Sequence, residues 1–178
     1  MIKEASQNQR RLAAIVATDV VGYTHLMAAD EVGTLAALRD HRAALIDDLI
    51  ASHGGRIVKT MGDGLLLEYP SVVSAVESML AVQTGMIERN AEVAEATRIV
   101  LRVGINLGDI IIDGDDIHGD GVNLAARLEA MASPGGIAIS DIVHGQIRNR
   151  LAPAFIDDGE NDLKGIAHPI AIWHWNPG

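Results

Sequence analysis

Two short apolar stretches joined by a glycine-rich turn constrain this chain most. Residues 57–59 and 65–69 are mostly aliphatic, and Gly62 and Gly64 bracket Asp63 between them. This pattern predicts a β-hairpin, because glycine tolerates the backbone angles of a tight turn. The carboxylate of Asp63 would then lie at the tip of a rigid hairpin. Gly-Asp-Gly is also common in solvated turns, so the hairpin alone does not establish a site.

A second acid, Asp19, interrupts another apolar run. Residues 12–21 read Leu-Ala-Ala-Ile-Val-Ala-Thr-Asp-Val-Val, which predicts a strand buried on both faces. A carboxylate is costly in such surroundings unless it is paired or binds a metal. Gly22, Tyr23 and Thr24 then turn the chain into a short helix, whose first backbone N–H groups could hold a phosphate.

Composition narrows the class of protein. A chain of 178 residues, 48% of them hydrophobic, can form one domain with a substantial core. Only 3% of the residues are aromatic and the net charge is −10, which disfavours nucleic-acid and anionic-membrane partners. Cysteine is absent, which excludes disulfides, a thiolate nucleophile and Cys-ligated zinc. Without a leader or a bilayer-spanning apolar run, we expect a cytoplasmic protein or the soluble domain of a longer one.

The order of the predicted elements indicates an α+β fold. Apolar residues at helical spacing predict helices over 30–53 and from 71 into the polar stretch 88–97, and residues 99–112 predict another strand. Strand, helix, hairpin, helix, strand is the ferredoxin-like (palm-type) βαββαβ core, with a mostly antiparallel sheet and helices on one face.

Additional C-terminal α/β elements are expected after a turn at 113–116. They are a helix over 122–131, a strand over 137–139, a short helix from Ser140 to Arg148, and strands at 155–156 and 170–175. Residues 1–10 are polar and are interpreted as a tail or linker.

Asp19 and Asp63 both lie at strand ends. In a ferredoxin-like sheet the first strand neighbours the hairpin, so the two carboxylates could face one point. Two unpaired acids repel each other, and oxygen-only ligands favour magnesium or manganese over zinc. A metal pair beside a phosphate cradle suggests phosphoryl or nucleotidyl transfer. The alternative is that each acid is only a turn or cap residue.

A second group of polar residues lies between 116 and 127. Asn123 and Arg127 are four apart on the predicted helix, so they share a face. Together they could bind a polar ligand or stabilise phosphate charge, and a solvated surface pair is an equal alternative. Gly119-Asp120-Gly121 lacks the third glycine of a dinucleotide fingerprint, and the seven histidines are scattered without a His-Glu-x-x-His pattern.

Five segments together resemble the catalytic domain of class III adenylate/guanylate cyclases, especially the bacterial branch. They occur in the family's order and cover residues 11–176, the predicted cyclase domain. The segments are Ala17-Thr-Asp-Val-Val-Gly-Tyr-Thr24, Gly54-Gly-Arg-Ile-Val-Lys-Thr-Met-Gly-Asp-Gly-Leu65, Arg102-Val-Gly-Ile-Asn-Leu-Gly108, Asp116-Ile-His-Gly-Asp-Gly-Val-Asn-Leu-Ala-Ala-Arg127 and Leu163-Lys-Gly165.

The resemblance implies conversion of ATP to 3′,5′-cyclic AMP and pyrophosphate with two divalent cations, Mg²⁺ or Mn²⁺. Asp19 and Asp63 would bind the cations with help from the carbonyl of Val20. The ribose 3′-hydroxyl would attack the α-phosphorus in line. Asn123 would orient the ribose, and Arg127 would neutralise the pentavalent transition state.

The resemblance also assigns substrate contacts. Lys59 and Asp116 match the pair that selects adenine, in which Lys donates to N1 and Asp accepts from the N6 amino group. Guanylate cyclases carry Glu at the lysine position, so Lys59 favours ATP. Lys164 matches the residue that contacts the terminal phosphates.

The family forms head-to-tail homodimers with shared active sites. Asp19 and Asp63 would come from one chain, and Lys59, Asp116, Asn123 and Arg127 from the other. Family members usually carry a sensor, so a fused or separate regulatory domain is expected as a partner.

The sequence leaves three alternative functions to consider. The chain could be a nucleotide-binding regulatory module with little turnover, although no expected catalytic residue is missing. It could accept GTP. A palm-type diguanylate cyclase is disfavoured, because no Gly-Gly-Asp/Glu-Glu-Phe signature occurs.

Overall fold

A computed structural model describes residues 9–147 and 149–178, and in these residues eight strands form one sheet. The strands are β1 (Gln9–Val20), β2 (Arg56–Met61), β3 (Gly64–Tyr69), β4 (Leu101–Asp113), β5 (Asp116–His118), β6 (Ile137–Ser140), β7 (Ile156–Asn161) and β8 (Ile170–Trp175). The helices are α1 (Tyr23–Ala29), α2 (Glu31–His41), α3 (Asp47–Ser52), α4 (Val72–Asn90), α5 (Asp120–Met131) and α6 (Asp141–Gln146).

The sheet has the order β2-β3-β1-β4-β6-β8-β7, and β5 pairs with β4. The pairs β1–β3, β1–β4 and β2–β3 are antiparallel, so the first four strands have the predicted ferredoxin-like arrangement. The pair β4–β6 is parallel and joins this core to the additional C-terminal elements. The predicted α+β fold class is confirmed.

The alternation of side chains along β1 separates two hydrophobic layers. Ala14 and Val16 point into the larger layer, which contains residues of α3 and α4. Ala13 and Ile15 point to the opposite face, where they pack with Ala125 of α5. The helices α3 and α4 of the ferredoxin-like core therefore share one face, as predicted, and α5 covers the other face.

The structure differs from the predicted elements at several bounds. The helix predicted over 30–53 is α2, a π-helical turn (Arg42–Ile46) and α3. The Arg42 side chain binds Asp47, five residues ahead, which matches the spacing of a π-turn. Gln9 and Arg10, which the sequence places in a tail, begin β1, and the rest of that segment lies outside the described residues.

The strand β5 was not predicted, because residues 113–116 have the composition of a turn. The turn is present, with Gly114 at φ 61°, but Asp116 already pairs with Asp113 and continues as a strand. The helix predicted to follow β6 up to residue 148 ends at Gln146, and residue 148 itself lies outside the described residues. In the part of the chain that is described, no helix combines the length and apolar character needed to cross a membrane.

Candidate active site

The hairpin between β2 and β3 brings Asp63 to the end of β1. The backbone N–H of Val20 donates to the carboxylate of Asp19 at 2.9 Å and to that of Asp63 at 3.1 Å. Gly64 lies so close to the backbone of Thr18 that a side chain there would clash with the Thr18 carbonyl. The close packing of the hairpin on β1 therefore places the two predicted metal-binding acids together.

Electrostatics at this point disfavour two bare carboxylates. The pKa of Asp19 is raised to about 6, and burial is the largest cause. The neighbouring Asp63 carboxyl adds to the shift by hydrogen bonding and by charge repulsion, while the Val20 N–H and the charge of Arg102 oppose it. A site that raises the pKa of an acid in this way gains from the arrival of a cation.

Two further charged residues, Arg102 and Glu129, belong to this cluster, and neither was predicted to have a role. Arg102 is the direct partner of Asp19 across the β1–β4 pairing, so both side chains point to the face that carries α5. On that face α5 packs against Gly104, where an added side chain would clash with the backbone of Ala125 and Glu129. The absence of a side chain at Gly104 thus lets α5 bring Glu129 close to Asp19.

Glu129 and Arg102 both interact electrostatically with Asp19. Burial, together with the charges of Asp19 and Asp63 and against that of Arg102, raises the pKa of Glu129 to about 7. The Nε atom of Arg102 is buried and has no hydrogen-bond partner among the described residues. A lone charge in an apolar strand was the sequence signal for Arg102. Glu129 had no such signal in the sequence, because its position near the acids depends on how closely α5 packs against β4.

The donor set fits a hard divalent cation. In residues 9–147 and 149–178, no group of three or more His, Asp or Glu side chains converges as a complete metal cage. Two carboxylates at one point suit Mg²⁺, which retains waters and takes further oxygens from substrate phosphates. The residues that would hold a cation are therefore Asp19 and Asp63, and the Val20 carbonyl remains a prediction.

The segment predicted to bind phosphate, residues 22–24, lies just after the end of β1. Gly22 has φ 64° and precedes α1, which begins at Tyr23 and continues through Thr24. Gly22 and Thr24 are exposed and Tyr23 is half-buried. The left-handed backbone at Gly22 favours glycine and turns the chain next to the two acids.

Lys59 and Asp116 also come together, within one chain. Lys59 Nζ lies 3.0 Å from Asp116 Oδ1 and 3.1 Å from Oδ2. The Lys59 hydrogen bond, followed by that of the Ile117 N–H, lowers the pKa of the Asp116 carboxyl. Because β5 lies close to β2, the two residues predicted to read the base form one polar unit.

The remaining predicted residues form no side-chain hydrogen bond or ion pair with the two acids in the described part of the chain. Asn123 and Arg127 are exposed on α5, and no side-chain hydrogen bond or ion pair involves them in the described part of the chain. Lys164 is exposed, and the preceding Leu163 is buried against Leu128 of α5 in a small hydrophobic cluster. Leu163 thus fixes the loop that carries Lys164 against the helix that carries Arg127.

Comparison with known proteins identifies the family. A family model described as the adenylate and guanylate cyclase catalytic domain matches residues 6–175. The chain belongs to this family.

Two relatives of this cyclase domain have names that refer to adenylate cyclase. The protein named "Putative adenylate cyclase 3" of Rhizobium meliloti (strain 1021) is 46% identical over 177 residues, 99% of this chain and 30% of that protein. The "Adenylate cyclase" of Streptomyces coelicolor is 36% identical over 149 residues, 82% of this chain and 36% of that protein. The cyclase domain thus spans about a third of the length of these relatives.

A solved structure from Silicibacter pomeroyi, titled "Adenylate/Guanylate Cyclase/Hydrolase", superposes with a TM-score of 0.91 at 43% identity. The match covers 97% of this chain and all of that one. Its title includes both cyclase activities, so the fold alone does not choose between ATP and GTP.

Proposed function

We propose that the cyclase domain converts ATP to 3′,5′-cyclic AMP and pyrophosphate, at sites shared between two copies of the chain. The observation that carries this proposal is the convergence of Asp19 and Asp63 on the Val20 N–H. Two acids held together with a raised pKa at Asp19 suit a site for divalent cations.

In the proposed reaction the ribose 3′-oxygen forms a bond to the α-phosphorus while the bond from the α-phosphorus to the oxygen that bridges it to the β-phosphate breaks. Pyrophosphate leaves with that oxygen, and the proton of the hydroxyl is released to solvent. Two divalent cations, Mg²⁺ or Mn²⁺, would supply activation of the hydroxyl and neutralisation of the triphosphate. Asp19, Asp63 and the Val20 carbonyl would hold them.

The triphosphate also needs donors from the chain. The backbone N–H groups at Gly22, Tyr23 and Thr24 would bind phosphate oxygens, and Lys164 would contact the terminal phosphates. Arg127 would stabilise the charge that develops on the α-phosphate, while Asn123 would orient the ribose.

Lys59 and Asp116 support ATP as the substrate. An ammonium beside a carboxylate offers one donor and one acceptor, which complements the N1 acceptor and the 6-amino donor of adenine. Guanine presents the opposite pattern at these positions, N1–H and O6, and would place like groups together.

The positions of Asn123 and Arg127 support shared sites. Both side chains are exposed and unengaged in the described chain, on a helix that covers the face of the sheet away from α4. They can therefore reach a nucleotide held by the acids of a second copy. Two-fold symmetry would then give two equivalent sites in the homodimer.

The names of the Rhizobium and Streptomyces relatives also favour ATP. Since the matched regions cover only 30% and 36% of those proteins, a fused or separate regulatory domain is part of the proposal. The proposed location is the cytoplasm, where ATP is available.

The test is a product assay with Mn²⁺ and either ATP or GTP, in which cyclic AMP and cyclic GMP are separated by chromatography. Cyclic AMP from ATP is the expected product. Asp63→Ala should lower the rate by more than about 100-fold, since an electrostatic contact to the reacting groups is lost. The matched control is Asp48→Ala, which removes an exposed acid on α3 and should leave the rate unchanged.

Each other outcome has a defined meaning. Cyclic GMP without cyclic AMP would overturn the choice of base. An undiminished rate in Asp63→Ala would overturn the metal site. Nucleotide binding without any product would indicate the regulatory module instead of the enzyme.

A further inference from the structure

The carboxylate of Asp116 has a second neighbour besides Lys59. His118 Nε2 lies 3.5 Å from Asp116 Oδ2 and 3.8 Å from Asp113 Oδ2. The His118 side chain is 52% exposed, so a bound nucleotide can also reach it.

The short strand β5 creates this arrangement. Asp116 and His118 are two residues apart and project to the same side, while Ile117 between them is buried on the other side. The pairing of β5 with β4 sets His118 opposite Ile111 and Asp116 opposite Asp113, which places the imidazole near both carboxylates.

The two oxygens of Asp116 differ in their surroundings. Oδ1 accepts the Ile117 N–H at 2.8 Å as well as Lys59, so the backbone fixes it. Oδ2 accepts from Lys59 and faces His118. When Lys59 turns to a ring nitrogen of the purine, Oδ2 is the oxygen that becomes available to the exocyclic amino group.

We propose that His118 is a positioning residue for base selection, which holds Oδ2 of Asp116 toward the 6-amino group of adenine. The inference rests on the proposed function, because it concerns the same nucleotide site. Without His118, Oδ2 loses the neighbour that stays beside it when Lys59 turns to the purine, and the hydrogen bond to the amino group is formed less often.

The direct test compares ATP with purine riboside triphosphate, which lacks the 6-amino group. A hydrogen bond to a charged group is worth about tenfold or more in kcat/KM, so the wild type should prefer ATP by that factor. His118→Leu should reduce the preference to roughly twofold through a higher KM for ATP. His118→Gln retains a side-chain donor and should restore most of the preference.

The matched control is His174→Leu, which removes another histidine that lies beside an acid. His174 Nε2 lies 3.2 Å from Asp158 Oδ2 on the β7–β8 pair, and its loss should leave the preference unchanged. The thermal midpoints of all variants are measured alongside, so that a loss of folding is not mistaken for a loss of recognition.

The outcomes separate the two proposals. An unchanged preference in His118→Leu, with normal cyclic AMP formation, would overturn the role of His118 and leave the proposed function standing. A wild type that converts both nucleotides equally well to their own 3′,5′-cyclic monophosphates would overturn the reading of the 6-amino group itself. A wild type that forms no cyclic product would overturn both.

Discussion

Asp19 and Asp63 accept the same backbone N–H, that of Val20, although 43 residues separate Asp63 from Val20 in the sequence. A single donor thus faces two acids at the junction of β1 and the hairpin. The positive end of one peptide group cannot neutralise two full charges. The junction is consequently a point where added protons or cations are favourable.

The first prediction concerns stability without metal. Because burial and Asp63 raise the pKa of Asp19 to about 6, its contribution to stability is present below its ordinary value of 3.8 and is lost as the pH rises through about 6. Asp19→Asn, which stays neutral, should therefore stabilise the metal-free protein at pH 8 by on the order of 1 kcal/mol, after allowance for solvent screening.

Thermal unfolding in EDTA at pH 5 and pH 8 measures this effect. A gain of about 2–4 °C is expected for Asp19→Asn at pH 8, with a smaller gain at pH 5. Addition of Mn²⁺ should stabilise the wild type more than the variant. A variant that is less stable than the metal-free wild type at pH 8 would show that the two acids do not repel each other.

The second prediction concerns the close packing of α5 against β4 at Gly104. Gly104→Ala places a methyl group against the backbone of Ala125 and Glu129, which cannot move without shifting the helix. We expect a loss of about 1–3 kcal/mol in the free energy of unfolding, measured with urea, and a loss of activity, since α5 carries Arg127.

Gly145→Ala is the matched control. An added methyl group there meets no atom within 4 Å, and Gly145 lies in the short helix α6. Removing glycine from a compatible helical position should be neutral or slightly stabilising. Equal destabilisation by both substitutions would contradict the close approach of α5 to β4.

The sequence allowed much of this site to be predicted, for identifiable reasons. Asp19 and Asp63 stand out because an acid at the end of an apolar run is unusual, and the glycines around Asp63 mark the turn. Lys59 and Asp116 gave no such local signal, and they were found only through the resemblance to the family. Their 3.0 Å ion pair agrees with that pairing.

Other features could not be predicted because they depend on distant packing. The strand β5 has only three residues and is stabilised by its pairing with β4, while its sequence has the composition of a turn. Glu129 is adjacent to the acids only because Gly104 admits the helix. Local periodicity indicates where a helix begins and ends, but not which face of the sheet it covers.

The third prediction concerns the polar contact beneath α5. The buried hydroxyl of Ser140 donates to Asn106 Oδ1 at 2.9 Å, and Asn106 Nδ2 donates to the carbonyl of Gly121 at 3.1 Å. Ser140→Ala leaves the amide oxygen buried without a partner, which should cost about 1–3 kcal/mol in urea unfolding.

Ser133→Ala, at an exposed position in the loop after α5, should cost less than about 0.5 kcal/mol. Because Asn106 fixes the first turn of α5, Ser140→Ala should also lower kcat. A Ser140→Ala protein as stable as the Ser133→Ala protein would show that this contact does not anchor the helix.

The shared active site is the central claim, and complementation between two inactive variants tests it most directly. Asp63→Ala removes a metal-binding acid, and Arg127→Ala removes the transition-state cation, so each variant alone should be almost inactive. In a mixed dimer one site lacks both residues and the other is intact. Equal mixing should therefore recover about a quarter of the wild-type rate of cyclic AMP formation. A mixture no more active than the sum of the two separate variants, under conditions where dimers exchange subunits, would contradict the shared site.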